Sequence, residues 1–529
     1  MTDDFPQMPV SKPQRAIPKQ SSIAADSPGG REIAAAAIWT LLADLLIFRS
    51  HGFTGLAVFL VAVPILFFGL FPTMFRQASA KWTIGILVVV AARLIWSGSS
   101  LTVFSGVLLV VAVSMVAAGS VPMVLEGIVL ASRALFDGAV GLGHFHLSKH
   151  LGRGGKLPAG SLSILLPVVA ACVFGSIFVF ANPDLLDRVS TSLMDVVTGL
   201  VDWLTGFSIW EIPFCVAALL LGIGLMRPAL PMIRVGSTES AETVLFDQTQ
   251  SQWYAAFRNT LITVIALFVV YLGFEWMTLW KREFPEGFYY AGYAHQGAAW
   301  LTFALALATG MLSLIFRGTI LADPRLESLR KLAWVWSGAN LFLAVAVYNR
   351  LLIYVGYNGM TRMRTVGFFG ITLVVIGFGL VLYKIGRQRN LWWLLRSQLI
   401  AFTLTVIAYS VFPVDYVAHR YNVARVSAGY LRPAVMIAVK PIDDEGVASL
   451  LGLVDCSDPI IREGVRAKLA QRQKTIEADS NVHWTAYQAS TNRLRRVLKA
   501  NESKWTDYGN RKQQERAISV FREYAMQWY

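Results

Sequence analysis

Residues 330–365 read RKLAWVWSGANLFLAVAVYNRLLIYVGYNGMTRMRT, an apolar helix that ends in a dense polar cluster. Arg350, Tyr357 and Arg364 recur at seven-residue intervals, and Tyr354 and Thr361 fall three or four residues from them. A continuous helix would therefore place all five side chains on one face. Because an ionisable group in lipid is costly, this face is predicted to turn toward protein or water inside a membrane-embedded bundle.

The polar face has two interpretations. In the first, Arg350, Arg362 and Arg364 bind an anion such as a lipid phosphate or a carboxylate. Guanidinium groups bind such oxygens in a bidentate fork, and the neighbouring tyrosines add donors. In the second, Arg350 pairs with an acidic residue of the bundle, while the other two arginines flank a helix end.

Asp44 lies inside the first apolar segment. It is either a proton or cation site, a partner for Arg93 or Arg350, or part of a structural ion pair that fixes helix packing. Glu211 and Glu275 lie nearer the ends of apolar segments and are predicted at the headgroup level, in contact with solvent. The predicted ligand-binding residues are Arg350, Tyr354, Tyr357, Thr361, Arg362, Arg364 and Asp44.

Composition places the chain in a membrane. Of its 529 residues, 55% are hydrophobic and 15% are charged, whereas soluble domains carry about a quarter charged residues. The mean hydropathy is +0.52. The net charge of +14 is interpreted as loop charge that sets orientation, not as a nucleic-acid surface. The predicted fold class is all-α, a polytopic transmembrane helical bundle that contacts the lipid bilayer.

Apolar runs near the length of about 20 residues that spanning requires recur along the chain. About eleven spans are predicted, at 33–48, 53–71, 82–97, 101–119, 162–181, 208–226, 257–278, 293–316, 331–355, 365–385 and 391–412. Two further segments are amphipathic and predicted to be interfacial: 121–140, with Arg133 and Asp137 spaced for an i,i+4 pair, and 183–204.

The chain is predicted to have three parts: a disordered N-terminal tail (1–32), a transmembrane helical domain (33–412) and a helical extramembrane C-terminal region (413–529). Within that last region, Asp443 or Asp444 caps a helix through Leu453, and Asp458 followed by Pro459 starts another through about residue 473. An apolar stripe at helical spacing predicts a third helix, and residues 510–526 a fourth. The stripe comprises Trp484, Tyr487, Thr491, Leu494 and Leu498.

No catalytic, cofactor or metal site is predicted. His144, His146 and His150 cluster in what is interpreted as a glycine-rich loop. They do not share a helix face and have no cysteine nearby to complete a zinc site. Residues 152–160 are not a phosphate-binding loop, because a leucine follows Lys156 where that motif needs Ser or Thr.

Three segments resemble a known family. Residues 293–301 (YAHQGAAWL) resemble a Tyr-Ala-x-x-Gly helix start, and residues 350–364 (RLLIYVGYNGMTRMR) resemble an Arg-Leu-x-x-Tyr motif that ends in Thr-x-x-Arg. Arg420-Tyr421-Asn422 resembles a signature after the last span, and residues 41–48 (LLADLLIF) suit the first helix. Together they resemble a bacterial family of polytopic membrane proteins known only as a domain of unknown function. The second segment departs from the pattern by reading Tyr-Asn-Gly-Met where the family has Tyr-Gly-Leu. The resemblance implies a fold and a bacterial membrane location, and no reaction.

Orientation follows from the lysines and arginines of the loops. Their excess in one set of loops predicts a cytoplasmic N-terminus, and an odd number of spans then places residues 413–529 outside the cytoplasm. With the bacterial resemblance, the location expected is the bacterial cytoplasmic (inner) membrane.

Three functions remain open at this point. The first is the binding or translocation of an anionic solute or lipid headgroup in a polar intramembrane cavity near Arg350. The second is a non-catalytic membrane scaffold or sensor whose C-terminal region binds a protein partner. The third, a membrane enzyme acting on lipid-linked substrates, has the least support, because no nucleophile–base or metal constellation is visible, and the chain is predicted not to be an enzyme.

Overall fold

The computed structural model describes residues 30–151, 208–227, 253–277, 290–316, 320, 323–387, 389, 391–479 and 483–528. All regular structure in these ranges is helical, without strands. The N-terminal tail to residue 29, the stretch 152–160, the predicted span 162–181 and the amphipathic segment 183–204 lie outside the described residues.

The helices of the first part of the chain are α1 (Gly30–Ala43, continued by a π-helix, Asp44–Phe48), α2 (Phe53–Leu70), α3 (Ala78–Trp96), α4 (Ser100–Ala117), α5 (Val124–Leu151) and α6 (Glu211–Met226). They are followed by α7 (Tyr254–Glu275), α8 (Tyr290–Ile315), α9 (Leu326–Asn358), α10 (Arg362–Arg387) and α11 (Leu391–Val411). The C-terminal helices are α12 (Val414–Ser427), α13 (Ala434–Val439), α14 (Asp444–Val447), α15 (Pro459–Ala478), α16 (Ala489–Ala500) and α17 (Arg511–Met526).

Seven of the described helices are long and apolar enough to cross a membrane, namely α2, α3, α4, α7, α9, α10 and α11. Each matches a predicted span to within a few residues. Helix α6 and the apolar part of α8, Trp300–Ile315, are shorter apolar helices. The helical membrane fold is thus confirmed, whereas the count of about eleven spans is not.

The polar end of α9 does not continue as one helix, so the five polar residues do not meet the condition for a single helix face. Helix α9 ends at Asn358, and Gly359 adopts φ +84°, ψ −179°, a backbone conformation that is essentially confined to glycine. Helix α10 begins at Arg362, where the Thr361 hydroxyl accepts a hydrogen bond from the Arg364 N–H at 3.3 Å. The five predicted residues therefore belong to two helices and the turn between them.

The chain divides into two compact units. The first unit contains residues 1–37 and 132–231, and its described part includes the end of α5 and all of α6. These helices cross closely, because a Cβ atom on Gly138 would lie 1.9 Å from the Leu220 carbonyl oxygen. Small residues permit such an approach. The helix of α5 continues to Leu151, so His144, His146 and His150 lie in a helix, and the loop prediction was wrong. The predicted ion pair between Arg133 and Asp137 is present at 3.3 Å.

The second unit contains residues 38–131 and 232–529. Apolar side chains from α7 to α11 form one buried core, with Trp336 of α9 almost fully enclosed. The Phe268 ring of α7 contacts Trp336 edge-on, with 6.0 Å between ring centroids. This core fixes α9 against α7 and so positions the polar residues at the end of α9.

The helices of residues 414–528, called here the C-terminal region, share a separate buried core. As predicted, Asp458 caps α15 by accepting hydrogen bonds from the Ile460 and Ile461 N–H groups at 2.9 and 3.0 Å. Asp443 precedes α14 without a side-chain cap hydrogen bond, and a 3₁₀-helix, Ala448–Leu453, follows α14. A further expectation was wrong. The third helix begins only at Ala489, and Trp484 and Tyr487 are exposed outside it.

Candidate functional site at the junction with the C-terminal region

Arg350 is neutralised inside the membrane helices. Its Nε and Nη2 atoms donate to the two carboxylate oxygens of Glu275, at 2.8 and 2.5 Å. The Tyr271 hydroxyl accepts from Arg350 at 3.0 Å and donates to Glu275 at 2.9 Å. Both charged side chains are buried, with 3% and 1% of their surface exposed. This is the structural pairing that the second interpretation of the polar face describes.

Glu275 and Glu211 correct the sequence expectation. Both were predicted at the headgroup level in contact with solvent, and both are buried at 1% exposure. In the case of Glu275 the reason is the guanidinium group of Arg350, because a buried carboxylate is tolerated only when it is paired and hydrogen-bonded.

Arg364 closes the end of α9. Its guanidinium lies over the Tyr354 ring, 3.9 Å from the centroid, and donates to the carbonyl oxygen of Gly359. A cation at this position also opposes the negative end of the α9 dipole. The Tyr357 carbonyl oxygen accepts a hydrogen bond from the Tyr430 hydroxyl at 2.9 Å, so this end of α9 already contacts the C-terminal region.

Arg362 joins α10 to α12. Its Nε and Nη2 atoms donate to the two carboxylate oxygens of Asp415, at 2.6 and 2.5 Å. Asp415 also accepts from the Asp443 N–H at 2.7 Å. Burial by itself would raise the pKa of the Asp415 carboxyl group, but the hydrogen bonds from Arg362 and the Asp443 N–H hold it below its ordinary value. One turn further along α12, burial lowers the pKa of His419 to about 4.

Asn422 holds the turn between α9 and α10. Its side-chain oxygen accepts from the Met360 N–H at 2.6 Å, and its amide nitrogen donates to the Met360 carbonyl oxygen at 2.8 Å. Asn422 is fully buried. A Cβ atom on Gly359 would lie 2.5 Å from that same side-chain oxygen. The turn therefore requires both the glycine and the asparagine.

Two other turns of the membrane helices are attached in the same way. The Gly98 N–H, after α3, donates to the side-chain oxygen of Gln488 at 2.6 Å, and Gln488 donates to the Leu94 carbonyl oxygen at 3.0 Å. Before α2, the His51 N–H donates to Thr485 at 3.0 Å. The turns at 49–53, 97–99 and 359–361 therefore all contact the C-terminal region.

Ion pairs at this face differ from those suggested by the sequence. Arg93 pairs with both carboxylate oxygens of Glu445 in the C-terminal region. Asp44 forms an ion pair with Arg49 at 3.1 Å. Arg93 and Arg350 were the partners proposed for Asp44. Each of them pairs with a different carboxylate, and Asp44 pairs with Arg49 instead.

A comparison with known families identifies the family of the chain. Residues 35–443 match the family model described as Domain of unknown function (DUF4153). The chain belongs to the DUF4153 family. Neither a curated protein nor a solved structure matches the chain. The region matched by the DUF4153 model contains all seven predicted ligand-binding residues and the Arg420-Tyr421-Asn422 segment.

The structure brings two of the motif segments together and shows what their polar residues contact. The turn that follows Tyr357 contacts Asn422, the last residue of the Arg420-Tyr421-Asn422 segment. Sequence reasoning missed Glu275, Asp415 and Asn422 as partners. A signal existed for Glu275, which follows Tyr271 by four residues on an apolar helix. Among the described residues, no group of three or more His, Cys, Asp or Glu side chains could hold a metal ion.

Proposed function

We propose that this DUF4153 member is a non-catalytic membrane scaffold or sensor, in which the membrane helices hold the C-terminal region at one membrane face for contact with a partner. One observation carries the proposal: the polar residues of the turn between α9 and α10 contact the C-terminal region, through Arg362 with Asp415 and through Met360 with Asn422. In a site for a soluble ligand, the Arg362 guanidinium and the Met360 N–H would be available to the ligand, whereas here they bind Asp415 and Asn422.

The competing hypothesis, an intramembrane anion site at Arg350, has less support. An incoming anion would have to displace Glu275 from the guanidinium group. That exchange would leave a buried carboxylate without its cation, which costs several kcal/mol. The paired geometry favours a structural role for Arg350.

Charge distribution supports an orientation. Lys384, Arg387 and Arg389 lie at the end of α10 that is distant from the C-terminal region, since a helix of this length extends about 40 Å. An excess of basic residues marks the cytoplasmic side. In this proposal the protein lies in a bacterial inner membrane, and its C-terminal region lies outside the cytoplasm.

The proposed function is tested by complementation, in a host from which its own gene for the DUF4153 protein has been deleted. The double variant Arg350→Leu with Glu275→Leu removes the buried pair without leaving a lone charge, and it is expected to complement. The double variant Arg362→Ala with Asn422→Ala detaches the C-terminal region and is expected to fail, as is deletion of 414–529. Arg496→Gln, an exposed substitution, serves as control.

Membrane abundance of every variant is measured by immunoblot, so that loss of protein is separated from loss of function. The opposite pattern would overturn the proposal. In that pattern the leucine pair is inactive at normal abundance, while the detached variant complements, as an anion carrier requires.

A further inference from the structure

A cavity of about 700 Å³ lies where the ends of two membrane helices meet the C-terminal region. Trp96, the last residue of α3, and Pro413, just after α11, line one side, and Tyr416 and Arg420 of α12 line another. Arg493 of α16 completes the wall. Small-molecule sites typically enclose about 300–1,000 Å³, so this cavity has the volume of a ligand site.

The acidic groups of the wall are already neutralised from outside the cavity. Glu445 is paired with Arg93. The Asp444 carboxylate accepts from Arg472 at 2.7 Å, and from the Thr491 hydroxyl at 2.5 Å. Neither Arg93 nor Arg472 lines the cavity.

Two cations of the wall remain. Arg420 donates to the Tyr416 hydroxyl and lies 5.6 Å from the centroid of that ring, which limits its movement. Neither Arg420 nor Arg493 has a carboxylate within ion-pair distance in the part of the chain that the structure describes. Both are exposed. The wall therefore carries two positive charges that are not offset.

Local structure favours an oxyanion as the ligand. Ser490, which lines the cavity, belongs to the first turn of α16, and Arg493 lies at the start of the second turn. The positive end of a helix dipole lies at the first turn, and oxyanions bind well at such ends. Guanidinium groups match the oxygens of a phosphate in a bidentate geometry.

We propose that this cavity binds the phosphate group of an anionic ligand, with Arg420 and Arg493 as the charged contacts. Phosphate can come from a phospholipid headgroup or from a soluble phosphate ester. Trp96 and Pro413 mark the ends of membrane helices, where headgroups lie and where aromatic residues are enriched. The inference rests on the proposed function only through the docked position of the C-terminal region, and it names the ligand that a sensor of this form would read.

The test uses the full chain in nanodiscs of phosphatidylcholine. One arm adds dioleoyl-phosphatidylglycerol and measures retained lipid by native mass spectrometry. The other arm titrates glycerol 3-phosphate and inorganic phosphate by calorimetry. Four proteins are compared with the wild type: Arg420→Gln with Arg493→Gln, Arg420→Lys with Arg493→Lys, Arg493→Gln alone, and Arg496→Gln. Arg496 is a matched control, since it is exposed on the same helix and does not line the cavity.

We expect saturable binding of one ligand per chain in one of the two arms. The double glutamine variant should weaken it at least tenfold, since a hydrogen bond to a charged group contributes about 1.5–3 kcal/mol. The double lysine variant should lose less affinity than the double glutamine variant. The control variant Arg496→Gln should bind with the affinity of the wild type. Saturable binding of the lipid alone identifies a phospholipid headgroup as the ligand. Saturable binding of glycerol 3-phosphate or inorganic phosphate identifies a soluble phosphate ligand.

Absence of saturable binding in both arms, or binding that is equal in the wild type and the double glutamine variant, overturns the inference. If the double variant does not fold, Arg493→Gln alone decides, because this exposed side chain forms no hydrogen bond or ion pair with the described residues. Hydrogen exchange of the Gly98 and Met360 amides in the wild type reports docking separately. Protected amides without phosphate binding defeat this inference alone, whereas unprotected amides defeat the proposed function.

Discussion

Removing the carboxylate of Glu275 should destabilise the membrane helices strongly. Glu275→Ala leaves the Arg350 guanidinium, 3% exposed, without its bidentate partner. Breaking a buried pair from one side costs about 3–5 kcal/mol, because an uncompensated charge remains. Replacing both residues by leucine removes that charge and is often neutral or stabilising. A cycle formed by Glu275→Leu, Arg350→Leu and the double variant should give a coupling energy above about 2 kcal/mol.

The measurement is the free energy of unfolding of the detergent-solubilised chain, obtained by titration with a denaturing detergent. Tyr271→Phe provides a graded control, since it removes only the hydroxyl that bridges the pair and should cost about 1–2 kcal/mol. A cost below about 1 kcal/mol for Glu275→Ala would contradict the burial of the pair. So would a leucine pair that is no more stable than the single variants.

Three further predictions concern the junction and the C-terminal region. Gly359→Ala should cost at least about 1–3 kcal/mol of unfolding free energy, because φ +84° with extended ψ is strained for alanine; a matched Gly356→Ala, where a Cβ meets nothing within 4 Å, should cost less. Asp458→Ala should lower the free energy of unfolding by about 1 kcal/mol through loss of the α15 cap. Asp458→Asn should keep most of the stabilisation by the cap, as thermal unfolding would show. Burial lowers the pKa of His419 from 6.5 to about 4, so the unfolded chain binds a proton that the folded chain does not between these pH values. Stability should therefore fall by up to about 3 kcal/mol on acidification through this window. His419→Gln should flatten that dependence, and an unchanged pH profile would refute it.

Sequence patterns predicted the membrane helices well because apolar length is a local property. The predicted span 391–412 nearly coincides with α11, whereas α9 and α10 extend two to five residues beyond the predicted spans 331–355 and 365–385. Helix caps are local as well, which is why Asp458 was identified. The polar face of α9 was predicted less accurately. Its periodicity continues through Gly359, whereas the contact of Met360 with Asn422, 62 residues away, favours the turn over a longer helix.

Long-range pairing explains the other differences. Arg350 was recognised as buried, yet its partner lies 75 residues earlier in the chain. A single sequence cannot distinguish a carboxylate that reaches solvent from one that meets a guanidinium group on another helix. The stripe of residues 484–498 failed for a similar reason: Thr485 and Gln488 are used to hold turns of the membrane helices, so the helix begins after them.

The attachment of three membrane turns to residues 414–528 has a consequence for biogenesis. Translation adds these residues after the seven apolar helices of the described part of the chain. Until then the amides of Gly98 and Met360 lack the side chains that accept their hydrogen bonds. A nascent chain cut short before residue 422 would expose these open turns at the bilayer surface, where quality-control proteases could recognise an unfinished product.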